Sequence, residues 1–416
     1  MIKRKIYDKI KKHLDKKEIT IISGIRQCGK STILHKLRTN LIKEGEKTIF
    51  LNFDFDKDKE FLKTQESLVN KLKFEFGSNK GYVFIDEIQR RENAGLYLKG
   101  IYDLRLPYKF IVSGSGSVEL KEKIQESLLG RKRVFEMTPV NFSEFVNYKT
   151  NYKYSEKINE YFEFEKEKTE QFLKEYLNYG GFPRIVTERE TDEKIELINE
   201  IYNSYIEKDL INLLNIGKPE LFKDIFKMLS YLSGKLLNLT NISNDTDTSV
   251  QTLKKYLYFA EKTYSLTKIR PYFNNISKEI RKAPVIYFTD TGMMNYISGK
   301  YGNLSTPADF GFVFQNFIFN ILKDTIPKNH EIKYWRTTDK AEVDFIIDKT
   351  SGVTPIEVKY KKLKKTNISR SLRSFINKYE PQNAYIVNLS LKSKIKINKT
   401  TIHFIPYTKL FSIKSL

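Results

Sequence analysis

Residues 19–31 read I-T-I-I-S-G-I-R-Q-C-G-K-S and decide the fold of the first part of the chain. An apolar run ends at Gly24, and residues 24–31 fit the pattern G-x-x-x-x-G-K-[ST]. We expect a helix to follow over residues 32–41. A strand, a glycine-rich loop and a helix in this order predict a phosphate loop, in which successive backbone N–H groups point at anionic oxygens.

Each residue type in this loop suits a role at a nucleotide. Lys30 can reach the β and γ phosphates of ATP, and Ser31 can hold the Mg²⁺ that accompanies them. The residues assigned to ATP binding are Gly24, Arg26, Gln27, Cys28, Gly29, Lys30, Ser31 and Thr32. The alternative is a glycine turn that only joins a strand to a helix.

Composition limits the classes of protein that the chain can represent. With 416 residues, 40% of them hydrophobic, it can form two or three domains. It lacks a long uncharged apolar run and an apolar N-terminal segment, so we expect a soluble, cytoplasmic protein without a membrane partner. One cysteine and four scattered histidines exclude a disulfide framework and argue against a zinc site.

The formal net charge of +22 favours DNA or RNA as a partner. The alternative is a compositional bias, because Lys, Ile, Asn and Tyr are abundant along the whole chain.

A second nucleotide motif follows the loop. Three apolar runs over residues 48–54, 82–88 and 109–115 end in polar groups and predict a parallel sheet with helices on both faces. Asp86, at the end of the second run, can hold Mg²⁺ together with Ser31, and Glu87 can polarise the attacking water. The alternative is that the two acids only cap the next helix.

Ser113 and Arg131 are further candidates for the reaction. Ser113 ends the third run, where its hydroxyl can sense the γ phosphate or orient the water; the alternative is a flexible turn. Arg131 follows a predicted helix over residues 118–129. It can stabilise the transferring phosphoryl group in its own chain or in a neighbouring subunit, which makes an oligomer a candidate form; the alternative is a solvated arginine at a helix end.

The middle of the chain reads as two regions. Residues 141–225 are predicted to form a helical lid or connecting subdomain after an ATPase core over 1–140. Within residues 226–300, two predicted helices over 236–242 and 249–263 and a strand over 266–271 suggest a winged-helix-like domain. Its second helix offers Gln251, Thr252, Lys254 and Lys255 to a DNA groove, or else the domain docks a protein.

The C-terminal region, residues 301–416, carries a second chemical pattern. The predicted elements are a helix over 310–324, strands over 331–336, 342–348 and 354–360, a helix over 368–379 and a strand over 384–389. Asp344 and Glu357 can jointly hold Mg²⁺ or Mn²⁺, while Lys359 orients a water or steadies phosphate charge. The pattern D…E-x-K is short and arises often in a lysine-rich chain.

Five segments together resemble a family of archaeal and bacterial AAA-type ATPases. They are residues 24–31, 84–89 (F-I-D-E-I-Q), 113–115 (S-G-S), 130–131 (G-R) and 179–183 (Y-G-G-F-P). The resemblance implies an α/β fold with a P-loop NTPase parallel-sheet core of AAA type. A helical and winged-helix region and a C-terminal α/β domain like a restriction endonuclease, of PD-(D/E)XK type, are implied to follow.

The chain departs from this resemblance at one position. The helix before the nuclease-like strands usually carries a glutamate followed by asparagine, whereas this chain has Gln315 and Asn316. Glutamine is a neutral and weaker ligand for a hard cation, so the departure argues against cleavage.

The sequence therefore predicts an ATPase that uses ATP and Mg²⁺ to rearrange its winged-helix and nuclease-like domains. These domains are also candidate docking sites for a protein partner. Two alternatives remain open at this point: a metal-dependent nuclease regulated by ATP, and a non-hydrolysing switch gated by ATP.

Overall fold

The computed structural model describes residues 1–116, 128–211, 217–273, 279 and 282–412, and elements are numbered along these ranges. A sheet of five parallel strands in the order β2-β3-β4-β1-β5 forms the N-terminal core. Its strands are β1 (Ile19–Gly24), β2 (Thr48–Asn52), β3 (Gly81–Asp86), β4 (Tyr108–Ser115) and β5 (Lys132–Met137). The strand before the phosphate loop thus lies inside the sheet, between β4 and β5.

Helices cover both faces of this sheet. They are α1 (Ile6–Lys11), α2 (Lys30–Lys43), α3 (Asp56–Leu62), α4 (Gln65–Phe76) and α5 (Ala94–Asp103). Alternate strand residues face separate cores: Ile22 and Phe84 pack with α2, whereas Ile21 and Val83 pack with α4 and α5. The predicted α/β fold with a P-loop NTPase core is confirmed.

Strand β5 was not predicted from the sequence. Charged and apolar residues mix in K-R-V-F-E-M, and five of the six residues are exposed or only partly buried. An edge strand with one solvated face lacks the continuous apolar run that marks the inner strands. Most of the predicted helix over 118–129, and Ser117, lie outside the described residues.

A helical region follows the sheet. Its elements are α6 (Phe142–Lys149), α7 (Ile158–Phe164), α8 (Lys166–Tyr179), α9 (Pro183–Thr187) and α10 (Thr191–Ser204), followed by a π-helical segment, Tyr205–Ile211. A capping box between Asn141 and Glu144 starts α6. Residues 141–225 were predicted to be helical, and Gly180 and Gly181 lie between two of these helices.

Three helices and a two-stranded antiparallel sheet come next. They are α11 (Pro219–Tyr231), α12 (Leu239–Asp245), α13 (Val250–Lys262), β6 (Leu266–Ile269) and β7 (Val285–Phe288). The Ser249 side chain caps α13 by accepting a hydrogen bond from Thr252 N. Helix α12 starts later than predicted because the Asn238 side chain accepts hydrogen bonds from two backbone N–H groups and fixes the N-terminus there.

The C-terminal region is a mixed sheet in the order β12-β13-β11-β10-β9-β8. It is preceded by α14 (Thr291–Ile297) and α15 (Pro307–Thr325). The remaining elements are β8 (Glu331–Arg336), β9 (Glu342–Lys349), β10 (Gly352–Val358), α16 (Arg370–Tyr379), β11 (Asn383–Asn388), β12 (Ser393–Ile397) and β13 (Thr400–Pro406). The last two strands were not predicted. In the described ranges, no helix combines the length and apolarity needed to cross a bilayer.

Candidate functional sites

The phosphate loop begins at Gly24, at the carboxyl end of β1. Any larger residue at this position would force the neighbouring backbone to move. A Cβ atom on Gly24 would lie 2.1 Å from the backbone oxygen of Met137 on β5. Gly29, which precedes α2, has a φ of +98°, in the region that favours glycine. The two glycines of the motif are thus required by packing and by backbone conformation, respectively.

Lys30 is buried at the start of α2, with 6% of its surface exposed. Its ammonium group donates hydrogen bonds to the backbone oxygens of Gly24 (3.1 Å) and Ile25 (2.9 Å). These two carbonyl groups hold the Lys30 ammonium inside the phosphate loop.

The acid pair lies at the carboxyl end of β3. Asp86 is buried and accepts hydrogen bonds from the hydroxyl of Ser113 on β4 and from the backbone N–H of Glu87. Ser113 therefore contacts the predicted Mg²⁺ ligand, and its predicted role at the γ phosphate or at the attacking water stays a prediction. The backbone of Glu87 is left-handed, with a φ of +57°, and this places the second acid at a sharp turn.

Gln89 holds Glu87 in place. Its amide nitrogen donates to a carboxylate oxygen of Glu87, and its amide oxygen accepts from the backbone N–H of Ser115 at 3.1 Å. Burial raises the pKa of Glu87 above its ordinary value, and the nearby Asp86 carboxylate raises it further. In the sequence, Gln89 ends the segment F-I-D-E-I-Q, and no local pattern there indicates its contact with Glu87.

Arg26 contacts a distant part of the chain. Its guanidinium donates to Asp209, in the π-helical segment, at 3.0 Å and 2.8 Å. Asp209 is 3% exposed, so the pair joins the loop to the helical region in a largely desolvated place. Nothing in the sequence near Asp209 signals this contact, because 183 positions separate the two residues.

A cavity of about 440 Å³ opens beside the phosphate loop. Its walls come from the N-terminal segment, the loop, α2 and α9. The lining residues are Met1, Ile2, Lys3, Arg4, Tyr7, Asp8, Cys28, Gly29, Thr32, Ile33, Lys36, Met137, Pro183, Arg184 and Thr187. Arg4 fixes the N-terminal segment by donating to the backbone oxygens of Cys28 (3.0 Å) and Thr138 (2.6 Å) and to Glu144 (2.9 Å).

The segment Y-G-G-F-P, residues 179–183, leads into α9 and ends at Pro183, which lines this cavity. Gly181 N donates to the buried carboxylate of Asp290 at 2.7 Å, and Gly181 O accepts from Val140 N at 2.7 Å. A Cβ atom on Gly181 would lie 2.2 Å from the Val140 backbone oxygen. These contacts fix Pro183 next to Gly29.

The position of Arg131 corrects one prediction. Its backbone oxygen accepts a hydrogen bond from Ile19 N, at the amino end of β1, whereas the phosphate loop leaves the carboxyl end. Its side chain pairs with Asp103 at 2.9 Å. Five residues of strand, roughly 16 Å, separate the two ends of β1, so Arg131 does not reach the phosphate loop of its own chain. A role at a neighbouring subunit stays a prediction.

The C-terminal carboxylates are both engaged by protein donors. Asp344 accepts from the side-chain nitrogen of Gln315 (2.8 Å) and from Val358 N (2.7 Å). Glu357 accepts from Lys359 (2.7 Å) and from the hydroxyl of Ser369 (2.9 Å). All four carboxylate oxygens therefore already have a donor.

This arrangement does not fit a divalent cation. Gln315 points a donor N–H group at Asp344, where a metal site needs an acceptor. In the described part of the chain no group of three or more acidic, His or Cys side chains is arranged to hold a metal ion. Burial raises the pKa of Asp344 to about 7, which also disfavours its ionised, metal-binding form.

Asn316 has a different role from its neighbour. Its side chain accepts from Phe288 N and donates to Phe288 O, both at 2.8 Å, and so pairs with the backbone of β7. The residue is 1% exposed. It joins α15 to the preceding three-helix region and contributes no group to the Asp344–Glu357 pair.

The proposed DNA-reading residues on α13 are at the surface. Gln251, Lys254 and Lys255 are exposed, and Thr252 is partly buried. The other end of α13 meets the sheet, where the Tyr264 hydroxyl lies 3.0 Å from the Ser23 hydroxyl on β1. The region is thus joined directly to the strand that carries the phosphate loop.

Three family models match consecutive parts of the chain. A family described as an AAA domain matches residues 16–146. Two families described as domains of unknown function, DUF8612 and DUF4143, match residues 170–304 and 310–410. The first match includes the phosphate loop, Asp86 and Glu87 and supports an AAA-type ATPase domain.

The chain is similar along most of its length to uncharacterized proteins. One from Haemophilus influenzae is 24% identical over 376 residues, covering 87% of each chain. One from Mycobacterium tuberculosis is 23% identical over 369 residues, covering 88% of this chain and 75% of that protein. One from Methanocaldococcus jannaschii is 24% identical over 365 residues, covering 86% of this chain and 78% of that protein.

Solved structures show a distant likeness. DnaA from Aquifex aeolicus bound to AMPPCP is 18% identical and covers 62% of this chain and 88% of its own, with a TM-score of 0.28. The replication initiator DnaA bound to AMPPCP and single-stranded DNA is 16% identical and covers 63% of this chain and 90% of its own, with a TM-score of 0.31.

Proposed function

We propose that this chain binds ATP with Mg²⁺ at the phosphate loop and hydrolyses it, and that nucleotide state changes the contacts of the loop with the helical regions. The observation that carries the proposal is the cavity that adjoins the loop. It offers room for a nucleoside next to Cys28, Gly29 and Thr32 of the loop, and Lys30, the cation suited to phosphates, directly follows Gly29 in the chain.

Binding follows from the groups at the loop. The Lys30 ammonium exchanges its two carbonyl partners for β- and γ-phosphate oxygens, which are stronger acceptors because they are charged. Ser31 and Asp86 supply hard oxygen ligands of the kind Mg²⁺ prefers, and Ser113 orients Asp86. A Mg²⁺ held by these residues would neutralise charge on the phosphates.

In the proposed hydrolysis, Glu87 is the general base. A raised pKa makes this carboxylate a stronger base, which suits it to accept a proton from the attacking water. Gln89 positions the carboxylate and Ser115 positions Gln89, so the base depends on the carboxyl ends of two adjacent strands. The leaving group is ADP, and the new P–O bond forms to the water oxygen.

Three contacts support coupling to the rest of the chain. Arg26 binds Asp209 in the π-helical segment, and Tyr205 in the same segment lies 2.9 Å from the Thr263 hydroxyl. Tyr264 then contacts Ser23 on β1. The three-helix region, which we interpret as winged-helix-like, is thus linked to the nucleotide site by two routes.

A binding switch without turnover is the second candidate function. The observation that favours it is the hydrogen bond from Gln89, which engages the Glu87 carboxylate in this structure. An ATP-regulated nuclease is not supported, because the Asp344–Glu357 pair does not fit a metal ion.

Two variants test the proposal. Lys30→Ala is expected to abolish ATP binding in titration calorimetry, and Glu87→Gln is expected to bind ATP but hydrolyse it about 100-fold more slowly or worse. Lys43→Ala, at the other end of α2, is the matched control and should behave as wild type. Normal turnover in both site variants would contradict the ATPase assignment, and equal turnover in wild type and Glu87→Gln would favour the switch.

A further inference from the structure

The positive charge of this chain is concentrated near its C-terminus. Residues 358–416 contain fourteen Lys and Arg residues and one acidic residue, Glu380. This segment therefore carries 13 of the 22 net positive charges of the protein. A uniform bias in composition does not produce such a distribution, so a specific surface is indicated.

Helix α16 presents part of this charge on one face. Its inner face buries Leu372, Phe375 and Ile376 against the sheet. Its outer face exposes a stripe at helical spacing, and we call these residues the α16 face: Arg370, Arg373, Ser374, Asn377 and Lys378. Exposed Lys361, Lys364 and Lys365 lead into the helix.

The cations of the α16 face have no acidic partner. Neighbouring lysines do: Lys359 pairs with Glu357, and Lys362 pairs with Glu170 at 2.6 Å. Among the described residues, no ion pair involves Arg370, Arg373 or Lys378. Like charges one turn apart repel, so the face is left ready for an external anion.

The turn between β12 and β13 extends this surface. The Asn398 side chain lies 3.4 Å from that of Asn377, at the end of the stripe. The exposed Lys399 follows Asn398 directly. The positive surface therefore continues from the helix onto the sheet edge.

We propose that the α16 face binds the sugar–phosphate backbone of duplex nucleic acid, without reading its sequence. Arginine guanidinium groups fit phosphate oxygens with two parallel hydrogen bonds, and the interleaved Ser374 and Asn377 can donate to phosphate or sugar. A row of unpaired cations along a rigid helix matches a row of phosphates. This inference goes beyond the proposed function and does not depend on ATP hydrolysis.

The composition of the surface excludes two other occupants. Every exposed residue in the described part of 359–412 is polar. A lipid surface would require apolar side chains beside the cations, and a single strand would stack its bases on exposed aromatic rings. Neither feature is present, so the backbone of a duplex is the matching partner.

Helix α13 fits this partner less well. Its exposed Lys254 and Lys255 lie on a helix that also carries Glu261, and Asp245 and Asp247 precede it. This face of α13 carries charges of both signs, so substitutions on it serve as the control in a nucleic-acid binding experiment.

Fluorescence anisotropy with the full chain and a labelled duplex DNA of about 25 base pairs tests the proposal. Arg370→Gln/Arg373→Gln is expected to weaken binding about tenfold and to reduce the slope of log K against log salt by about 1.8. The matched variant Lys254→Gln/Lys255→Gln removes two charges from α13 and should change affinity less than twofold.

Two outcomes would overturn the proposal: an equal or larger loss in the α13 variant, or wild-type affinity in the α16 variant. Tight binding to phosphatidylserine vesicles that the α16 substitutions abolish would assign the face to lipid instead. Lys30→Ala should bind the duplex as wild type does, so failure of the ATPase proposal and failure of this one are distinguishable.

Discussion

The guanidinium of Arg26, inside the phosphate loop, donates two hydrogen bonds to a single carboxylate oxygen of Asp209, which lies in the π-helical segment. Asp209 is 3% exposed, so its charge depends on this one cation. The phosphate loop and the helical region are therefore stabilised together.

Removing either member of this pair should have unequal effects. Arg26→Ala leaves a buried carboxylate without a partner and should lower the free energy of unfolding by about 3 kcal/mol. Asp209→Asn keeps an acceptor for Arg26 and should cost about 1 kcal/mol. Urea denaturation measures both values, and the double variant completes the cycle. Equal losses in the two single variants would contradict a buried, dependent charge at Asp209.

Gln89→Ala should lower the turnover number of the ATPase by about 10- to 100-fold and leave KM for ATP nearly unchanged. The reason is that Gln89 orients Glu87 and, at its other end, bonds Ser115 N. Steady-state kinetics separates the two constants. Gln65→Ala, which removes an amide that contacts Tyr97 O on the far side of the sheet, is the control. A rise in KM alone would show that Gln89 serves binding.

Gly181→Ala should lower the free energy of unfolding by about 1 to 3 kcal/mol. The added Cβ would lie 2.2 Å from the backbone oxygen of Val140, which has little freedom to move. Gly217→Ala adds the same atom where nothing lies within 4 Å and is the matched control. Thermal unfolding of the two variants measures the difference, and similar melting temperatures would refute the steric argument.

Asp344→Asn should stabilise the protein at pH 8 more than at pH 5. The folded-state pKa of Asp344, about 7, lies above the ordinary value of 3.8, so the folded chain holds the proton more tightly. The stability due to that proton is complete below pH 3.8 and is lost as the pH rises to about 7.

Asparagine removes this loss and can still accept from Val358 N. We expect a gain of about 2 kcal/mol at pH 8, less than the full linkage because the side chain is partly exposed. Urea denaturation at both pH values measures it. Asp344→Ala, which loses both hydrogen bonds, should destabilise at each pH. A gain for Asp344→Asn that does not depend on pH would contradict the raised pKa.

The sequence predicted the phosphate-loop strand and the parallel sheet around it because their signals are local. These local signals are the glycine positions, the lysine that follows them and the apolar run that ends in Asp86 and Glu87. Each of them can be recognised within a few residues. The inner strands are buried on both faces, so their apolar runs are continuous. Strands β5 and β12 mix apolar residues with exposed charges and gave no such signal.

By itself, the sequence determined the phosphate loop, the acid pair and the α/β core, because strand and loop conformations follow from local residue patterns. Tertiary structure alone decided which side chains meet. It brought Ser113 to Asp86 across adjacent strands, Asp209 to Arg26 from 183 positions away, and Gln315 to Asp344 as a donor. It also placed Arg131 at the amino end of β1, opposite the end at which the phosphate loop begins. Hydrogen bonds act over about 3 Å, so these contacts depend on how the elements pack.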